Sequence, residues 1–311
     1  MVQKQISKKM LNIKSPILLL FYNRVDFLKK QINILKKIKT KKIYIHVDGP
    51  KDHVDKIKCD NIKKLVKKNN WNSRVEYIFQ NKNLGCTPAS IYAIDYCFRK
   101  EKQLIILEDD CIPNTSFFKF ADVLLKKYFK NKKIMGISGS SFYNDNEIKK
   151  DTYFFTRIAS TWGLALWKRS WDSFDRNITG IERFYDSDYA KTLFNSTHIK
   201  DYWFDKFRFS KKNNLKFGWE YIFAYSVFKN KGLFIYPKKN LISNIGHQGV
   251  HKIEKDSGLL FNKTHKISKI NHPKLIEPNK KIEKLEFDHH LRINYGYFKR
   301  FNKLLKKYLY L

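Results

Sequence analysis

Apolar residues along this chain fall into short solid runs, separated by stretches where they recur every three or four positions. The run over residues 15–22 shows no polar alternation, which predicts a strand buried on both faces. Residues 26–37 then carry apolar side chains at helical spacing. The rhythm repeats as a strand over 42–47, a helix over 54–68, a short strand over 75–79, a helix over 88–100 and a strand over 103–107. This β-α-β-α-β-α-β order predicts right-handed crossovers and a largely parallel sheet, an α/β fold. After residue 110 the pattern loosens. A helix is expected over 117–128 and strands over 134–138 and 153–156, whereas the aromatic-rich stretch 160–174 has no clean period and suits the acceptor side of a cleft.

The strand over 103–107 runs into Glu108-Asp109-Asp110, and Pro113 stops it soon afterwards. Like charges at such spacing repel by about 4 kcal/mol per pair at an effective dielectric near 20. The triplet therefore has to stay in water or acquire a cation, most simply a divalent metal. Ligands of open α/β sheets collect outside the carboxyl ends of the strands, where this triplet would lie. The structural alternative is an acidic loop that caps the next helix.

With 311 residues, 42% hydrophobic and 16% aromatic, the chain has material for a sizeable core. No Gly/Pro/Ser-rich linker interrupts residues 17–251, so one catalytic domain over 15–251 is expected, followed by a basic C-terminal extension over 252–311. Cys59, Cys86, Cys97 and Cys111 lack the paired close spacing of a zinc site, which suggests a reduced, cytosolic chain. No run approaches the roughly 20 apolar residues of a membrane span, and residues 1–14 are too lysine-rich for a signal peptide.

The formal charge of +34 comes overwhelmingly from Lys. Base readout and phosphate forks favour Arg, which is sparse, so no nucleic-acid partner is expected. An anionic membrane surface is another candidate, since each nearby basic residue contributes about 1 kcal/mol. The tail 297–311 mixes aromatics, leucines and lysines at roughly helical spacing, as interfacial helices do. A solvated helix docked on the domain fits the same pattern.

Five ordered blocks carry a family likeness. They are the first strand with Tyr22-Asn23-Arg24, then His46-Val47-Asp48-Gly49-Pro50-Lys51, Asn81-Lys82-Asn83-Leu84-Gly85-Cys86, Leu107-Glu108-Asp109-Asp110-Cys111-Ile112-Pro113, and Thr161-Trp162-Gly163-Leu164-Ala165-Leu166-Trp167-Lys168-Arg169. Together they resemble the GT-A fold nucleotide-sugar glycosyltransferases, and within these the bacterial proteins related to the N-acetylglucosaminyltransferase I type. The resemblance implies a Rossmann-like three-layer fold with a largely parallel mixed sheet, a nucleotide-sugar half over 15–113 and an acceptor half over 114–251. It also implies a nucleotide-sugar donor, UDP-linked, and a glycan or lipid-linked acceptor.

Carried over residue by residue, the resemblance makes Asp110 a ligand of Mn²⁺ or Mg²⁺ and turns Asp109 towards the ribose or a metal-bound water, leaving Glu108 structural. Asn23, Arg24 and Asp48 would meet the nucleotide at two strand ends, with Lys82 and Asn83 on a turn that opens the next helix. Asp48-Gly49-Pro50 is also an ordinary turn, and Asn83 or Gly85 could simply supply unusual backbone angles. Glu220 stands in Phe217-Gly218-Trp219-Glu220-Tyr221 where relatives carry an Asp base; one added methylene lengthens its reach without altering the proton chemistry. His251 matches the family's terminal metal or diphosphate contact, with His247 as the alternate. Trp162 and Trp167 suit either a sugar-stacking wall or the core.

Inverting sugar transfer on the cytoplasmic face of a bacterial inner membrane, in surface polysaccharide or lipooligosaccharide synthesis, is the expectation. Two alternatives stay open. A metal-dependent nucleotidyltransferase or phosphotransferase would share the architecture, although no P-loop occurs. A non-catalytic protein binding nucleic acid or anionic lipid would lose binding steeply with salt.

Overall fold

The computed structural model describes residues 10–141, 151–194, 196–213, 216, 218–246 and 262–294. His251, its alternate His247 and the tail 297–311 lie outside the described residues. In chain order the first half contains β1 (Leu11–Asn12), β2 (Ile17–Phe21), α1 (Val25–Leu35), β3 (Ile38–Lys39), β4 (Lys42–Val47), α2 (His53–Lys68), β5 (Arg74–Phe79), α3 (Cys86–Phe98), β6 (Gln103–Glu108) and β7 (Cys111–Pro113). Then follow α4 (Thr115–Lys127), β8 (Ile134–Ser138), β9 (Tyr153–Thr156), β10 (Leu164–Trp167), α5 (Lys168–Trp171), α6 (Ile181–Asp186), α7 (Asp188–Phe194), α8 (Thr197–Lys212), α9 (Trp219–Lys229), β11 (Leu233–Pro237), β12 (Ile242–Asn244) and α10 (Lys280–Asn294).

Eight strands form one sheet in the order β5-β4-β2-β6-β10-β8-β11-β9. The first four are mutually parallel, β10 runs against β6 and β8, and β11 follows β8 while β9 opposes it. Successive strand residues point to opposite faces, and here both faces are buried. Leu18, Leu20, Tyr44, Leu104 and Ile106 pack with α3 and α6–α9 on one side. Ile17, Leu19, Ile43, Ile45, Ile105 and Leu107 pack with α1, α2 and α4 on the other. The result is the expected three-layer α/β arrangement with a mixed, largely parallel sheet. Each fully buried large apolar side chain contributes about 1.5–3 kcal/mol to it.

Local signals explain the helix starts. Asp52 caps α2 by accepting from the Asp55 amide at 2.8 Å, and Asn114 caps α4 by accepting from Ser116 at 3.0 Å. Helix α3 begins two residues earlier than the expected 88, because Gly85 at φ +88° turns the chain sharply before Cys86. Pro88 is tolerated there in the first helical turn. Strand β10 lies inside the stretch that had no clean period. All four of its residues are buried between β6 and β8, so neither alternation nor helical spacing is visible. Trp167 belongs to this strand, is 1% exposed and donates its indole N–H to the Leu125 carbonyl. It is a core residue and forms no sugar-stacking wall.

The described part of the C-terminal segment docks on β9. Asn279 donates its amide to the Phe155 carbonyl, Ile282 and Phe287 enter the aromatic core, and Glu283 receives the Arg157 guanidinium on both oxygens. Among the described residues, no helix is long and apolar enough to cross a membrane. Glu286 shares the buried face of α10 at 2% exposure, and one of its carboxyl oxygens has no hydrogen-bond partner among the described residues.

Burial, reinforced by the charge of Glu283, pushes the Glu286 carboxyl from the ordinary 4.5 up to about 8. A carboxyl raised in the folded state contributes stability that is complete below the unfolded value and is lost as pH rises through the folded one. Thermal denaturation scans should therefore show the midpoint falling between pH 4.5 and 8. Glu286→Gln is expected to flatten that fall and to raise the midpoint at pH 8 by a few degrees.

Candidate active site

Because β4, β2 and β6 are parallel neighbours, their carboxyl ends reach the same edge of the sheet. The register sets Phe21 opposite Val47 and Leu20 opposite Glu108. Asn23 and Arg24, Asp48, and the Glu108–Asp110 turn therefore emerge side by side. Immediately afterwards β7 pairs with β12, matching Cys111 with Asn244. This brings the segment 244–246 against the acidic turn.

The turn is held from inside by Gln31 of α1, a fully buried side chain. Its Nε2 donates to the carbonyls of Glu108 (2.6 Å), Cys111 (2.9 Å) and Asp109 (3.3 Å). On the cleft side, one nitrogen of Arg24 bridges Asp109 at 3.0 Å and Asp110 at 3.3 Å. Asn244 donates to the other Asp110 oxygen at 3.4 Å, and the Asp110 carbonyl accepts from the Ile245 amide at 3.0 Å. Gly246 passes so close that a Cβ there would lie 2.2 Å from an Asp110 carboxyl oxygen. A side chain there would force the Asp110 carboxylate to shift.

Even with Arg24 in place, the charge is not fully compensated. Burial pushes the Asp109 carboxyl up to about 7, with the Arg24 charge opposing the rise and that of Asp110 adding to it. Asp110 is raised by burial and held back by Arg24. Glu108 is raised well above the carboxylate range, by burial first and then by the charges of Asp110, Glu220 and Asp109. Glu108, Asp110 and Cys111 have ligand-type atoms within 4.8 Å of one another. Two carboxylates at this spacing offer hard oxygen donors for a divalent cation. The Cys111 thiol is pushed far up by burial and donates to Asp110 at 3.6 Å, so it stays protonated.

Asp48 is 4% exposed and anchors the neighbouring turn. One of its oxygens accepts from the amides of Gly49 (2.8 Å) and Leu84 (3.0 Å). The other accepts from the Gly85 amide and the Asn83 side chain, each at 3.1 Å. Four donors use the acceptor capacity of a carboxylate, so in this state Asp48 faces the turn rather than the cleft. Gly49 lies against the Lys82 backbone, where a Cβ would come within 2.3 Å. Lys82 itself is exposed. Asn23 donates to Asp55 at 2.7 Å and so ties the end of β2 to α2, while Tyr22 donates its hydroxyl to the same carboxylate.

Glu220 enters from the other half of the chain, in the first turn of α9. Its charge adds to the upward push on both Glu108 and Cys86. Trp219 is 2% exposed and packs edge-on against Trp171. The structure thus brings Arg24, Glu108, Asp109 and Asp110 together at the strand ends, with Glu220 near enough for its charge to act on Glu108 and the Asp48-anchored turn alongside. Nothing in the sequence marks Gln31, whose polar side chain carries no local pattern, and Asn244 stands in the block leading to His251 without a role of its own; Glu108, expected to be structural, has a carboxylate oxygen within 4.8 Å of one of Asp110's.

No protein-family model matches the chain, and no curated protein matches its sequence. Among solved structures, TarS of S. aureus is similar over 74% of this chain at 12% identity and a TM-score of 0.40, and this chain spans 60% of that one. Mouse xyloside xylosyltransferase 1, apo form, is similar at 11% identity and a TM-score of 0.36, covering 71% of this chain and 84% of its own. A cytidylyltransferase from Leptospira borgpetersenii is similar at 11% identity and a TM-score of 0.31, covering 62% and 71%. Likenesses at this level assign no activity to the chain.

Gln31→Leu removes the donor shared by three carbonyls and is expected to lower the unfolding free energy in urea by about 2–3 kcal/mol. Asp48→Ala should leave the sheet intact and release the turn beside it. Hydrogen exchange at the Leu84 and Gly85 amides is then expected to accelerate by roughly tenfold or more.

Proposed function

We propose that this chain transfers a sugar from a nucleotide-diphosphate donor, UDP-linked, to a hydroxyl of a glycan or lipid-linked glycan, with inversion and with Mn²⁺ or Mg²⁺ as cofactor. The observation that carries the reading is the gathering of Arg24, Glu108, Asp109 and Asp110 at the carboxyl ends of parallel strands, with the charge of Glu220 acting on Glu108 from the start of α9. Carboxylates held this close are stabilised by an arriving divalent cation, and a cation there would in turn receive a diphosphate. Asp110 and Glu108 would hold it. When bound, it would supply Lewis-acid neutralisation of the departing nucleoside diphosphate.

The remaining roles belong to the chain itself. Arg24 has the charge and the planar fork for a diphosphate. The turn carrying Lys82 and Asn83, anchored on Asp48, presents backbone donors ahead of α3, whose N-terminus favours an anion. Asn23 and Asp109 border the space for ribose and base. Glu220 takes the proton from the acceptor hydroxyl, across the cleft from the acidic turn. A role for His251, with His247 as alternate, is supported by the sequence likeness and by the contact of Gly246 with Asp110, only a few residues upstream. The likeness to the N-acetylglucosaminyltransferase I type rests on the sequence blocks. Work on bacterial surface polysaccharide or lipooligosaccharide at the cytoplasmic face of the inner membrane accords with that likeness and with the basic, aromatic tail.

Purified protein is to be incubated with a panel of nucleotide sugars and Mn²⁺ or Mg²⁺, following release of nucleoside diphosphate. Metal-stimulated release is expected for the wild type. Asp110→Ala should lose metal-stimulated nucleotide binding, whereas Glu220→Gln should keep it and lose about 10²–10⁴-fold in kcat. Absence of both donor consumption and metal-stimulated nucleotide binding across the panel sinks the proposal. Pyrophosphate release from a nucleoside triphosphate and a sugar phosphate would assign nucleotidyl transfer instead.

A further inference from the structure

Arg24 shares Asp110 with the place where Glu108 and Asp110 would hold a metal ion. A single guanidinium nitrogen spans Asp109 Oδ1 and Asp110 Oδ2, at 3.0 and 3.3 Å. The same Asp110 oxygen has the Gly246 backbone on another side, within reach of a Cβ clash. The second Asp110 oxygen receives Asn244 at 3.4 Å and the Cys111 thiol at 3.6 Å. Of the partners of the Asp110 carboxylate, Arg24 is the one that carries charge. A guanidinium and a divalent ion within a few ångströms repel one another, so the two compete for Asp110.

The guanidinium also has somewhere to go. Arg24 caps the start of α1 and is anchored by its backbone, its carbonyl accepting from Leu28. Its side chain is 27% exposed, with its guanidinium carbon 5.3 Å from the centre of the Phe27 ring. A rotamer change would move its charge off the carboxylates without moving the strand end. Among diffusible ligands, a diphosphate bound next to the cation is the natural partner for a displaced planar fork.

We infer that Arg24 is a built-in competitor of the metal, so that the cation loads fully only together with a diphosphate that takes over the guanidinium. The inference rests on the transferase reading and adds an order of binding to it. Metal and nucleotide become mutually dependent, and the coupling is reciprocal: whatever factor the nucleotide adds to metal affinity, the metal adds to nucleotide affinity. Removing the guanidinium acts on the two ligands in opposite directions, which loss of a merely structural arginine would not do.

The test is Mn²⁺ binding by the full chain, measured by calorimetry and by loss of the free-Mn²⁺ paramagnetic signal, with and without UDP. Without UDP, Arg24→Gln is expected to bind Mn²⁺ on the order of tenfold more tightly than the wild type. UDP should tighten Mn²⁺ binding strongly in the wild type and much less in Arg24→Gln, and UDP affinity at saturating Mn²⁺ should fall in the variant. Arg24→Lys keeps the charge but cannot bridge both carboxylates as a planar fork, so it should fall between the two. It also carries the test if Arg24→Gln does not fold. Mn²⁺ binding by the variants that is no tighter than the wild type's, with UDP still stimulating it, overturns the competition and leaves the transferase reading standing. Failure of every form to take up Mn²⁺ with or without UDP overturns both.

Discussion

Three adjacent carboxylates must be kept on a tight turn at the edge of a sheet, and much of the structure answers to that requirement. A turn of like charges would splay apart unless its backbone were pinned and part of its charge met. Gln31 pins it from the core with three hydrogen bonds. Arg24 meets two of the charges from the cleft, and Asn244 and Gly246 close the far side of Asp110. These supports come from α1, from the end of β2 and from the end of β12. The turn is therefore only as well defined as the packing of distant segments around it.

The same arrangement joins the two halves of the chain. Glu220 lies more than a hundred residues beyond the acidic turn, yet from the first turn of α9 its charge acts on Glu108. Trp219 is set in an aromatic core with Trp171 and Phe223. A rigid core behind one side chain and a parallel sheet behind the others make the separation of the acidic turn and Glu220 a property of the scaffold. The Asp48-anchored turn adds a more local device. Its carboxylate is consumed in shaping the loop that carries Lys82 and Asn83, so this acid organises the backbone rather than the cleft.

How much of this was legible beforehand depended on range. Strand 15–22 and helices such as 54–68 could be read because solid apolar runs and helical spacing are local consequences of which faces are buried. Strand Leu164–Trp167 could not, because four residues buried on both sides leave no period, and its place between β6 and β8 is decided by pairing with segments far away. Trp167 looked equally suited to wall or core, and only its burial and its bond to Leu125 decide the matter. Gln31 looked like one polar residue on an amphipathic helix. Its importance exists only once α1 lies beneath the acidic turn.

The amino-acid order by itself determined the α/β alternation, the ending of an apolar strand in three acids, and the set of residue types capable of holding a cation, a diphosphate and a proton. These follow from covalent adjacency and from side-chain chemistry, which do not depend on distant partners. Tertiary structure decided which of those groups meet. It turned the Asp48 carboxylate into its own loop, brought Glu220 to Glu108, and set Arg24 across Asp109 and Asp110. Such outcomes depend on strand register and on close packing between segments remote in the chain, and no local pattern encodes either.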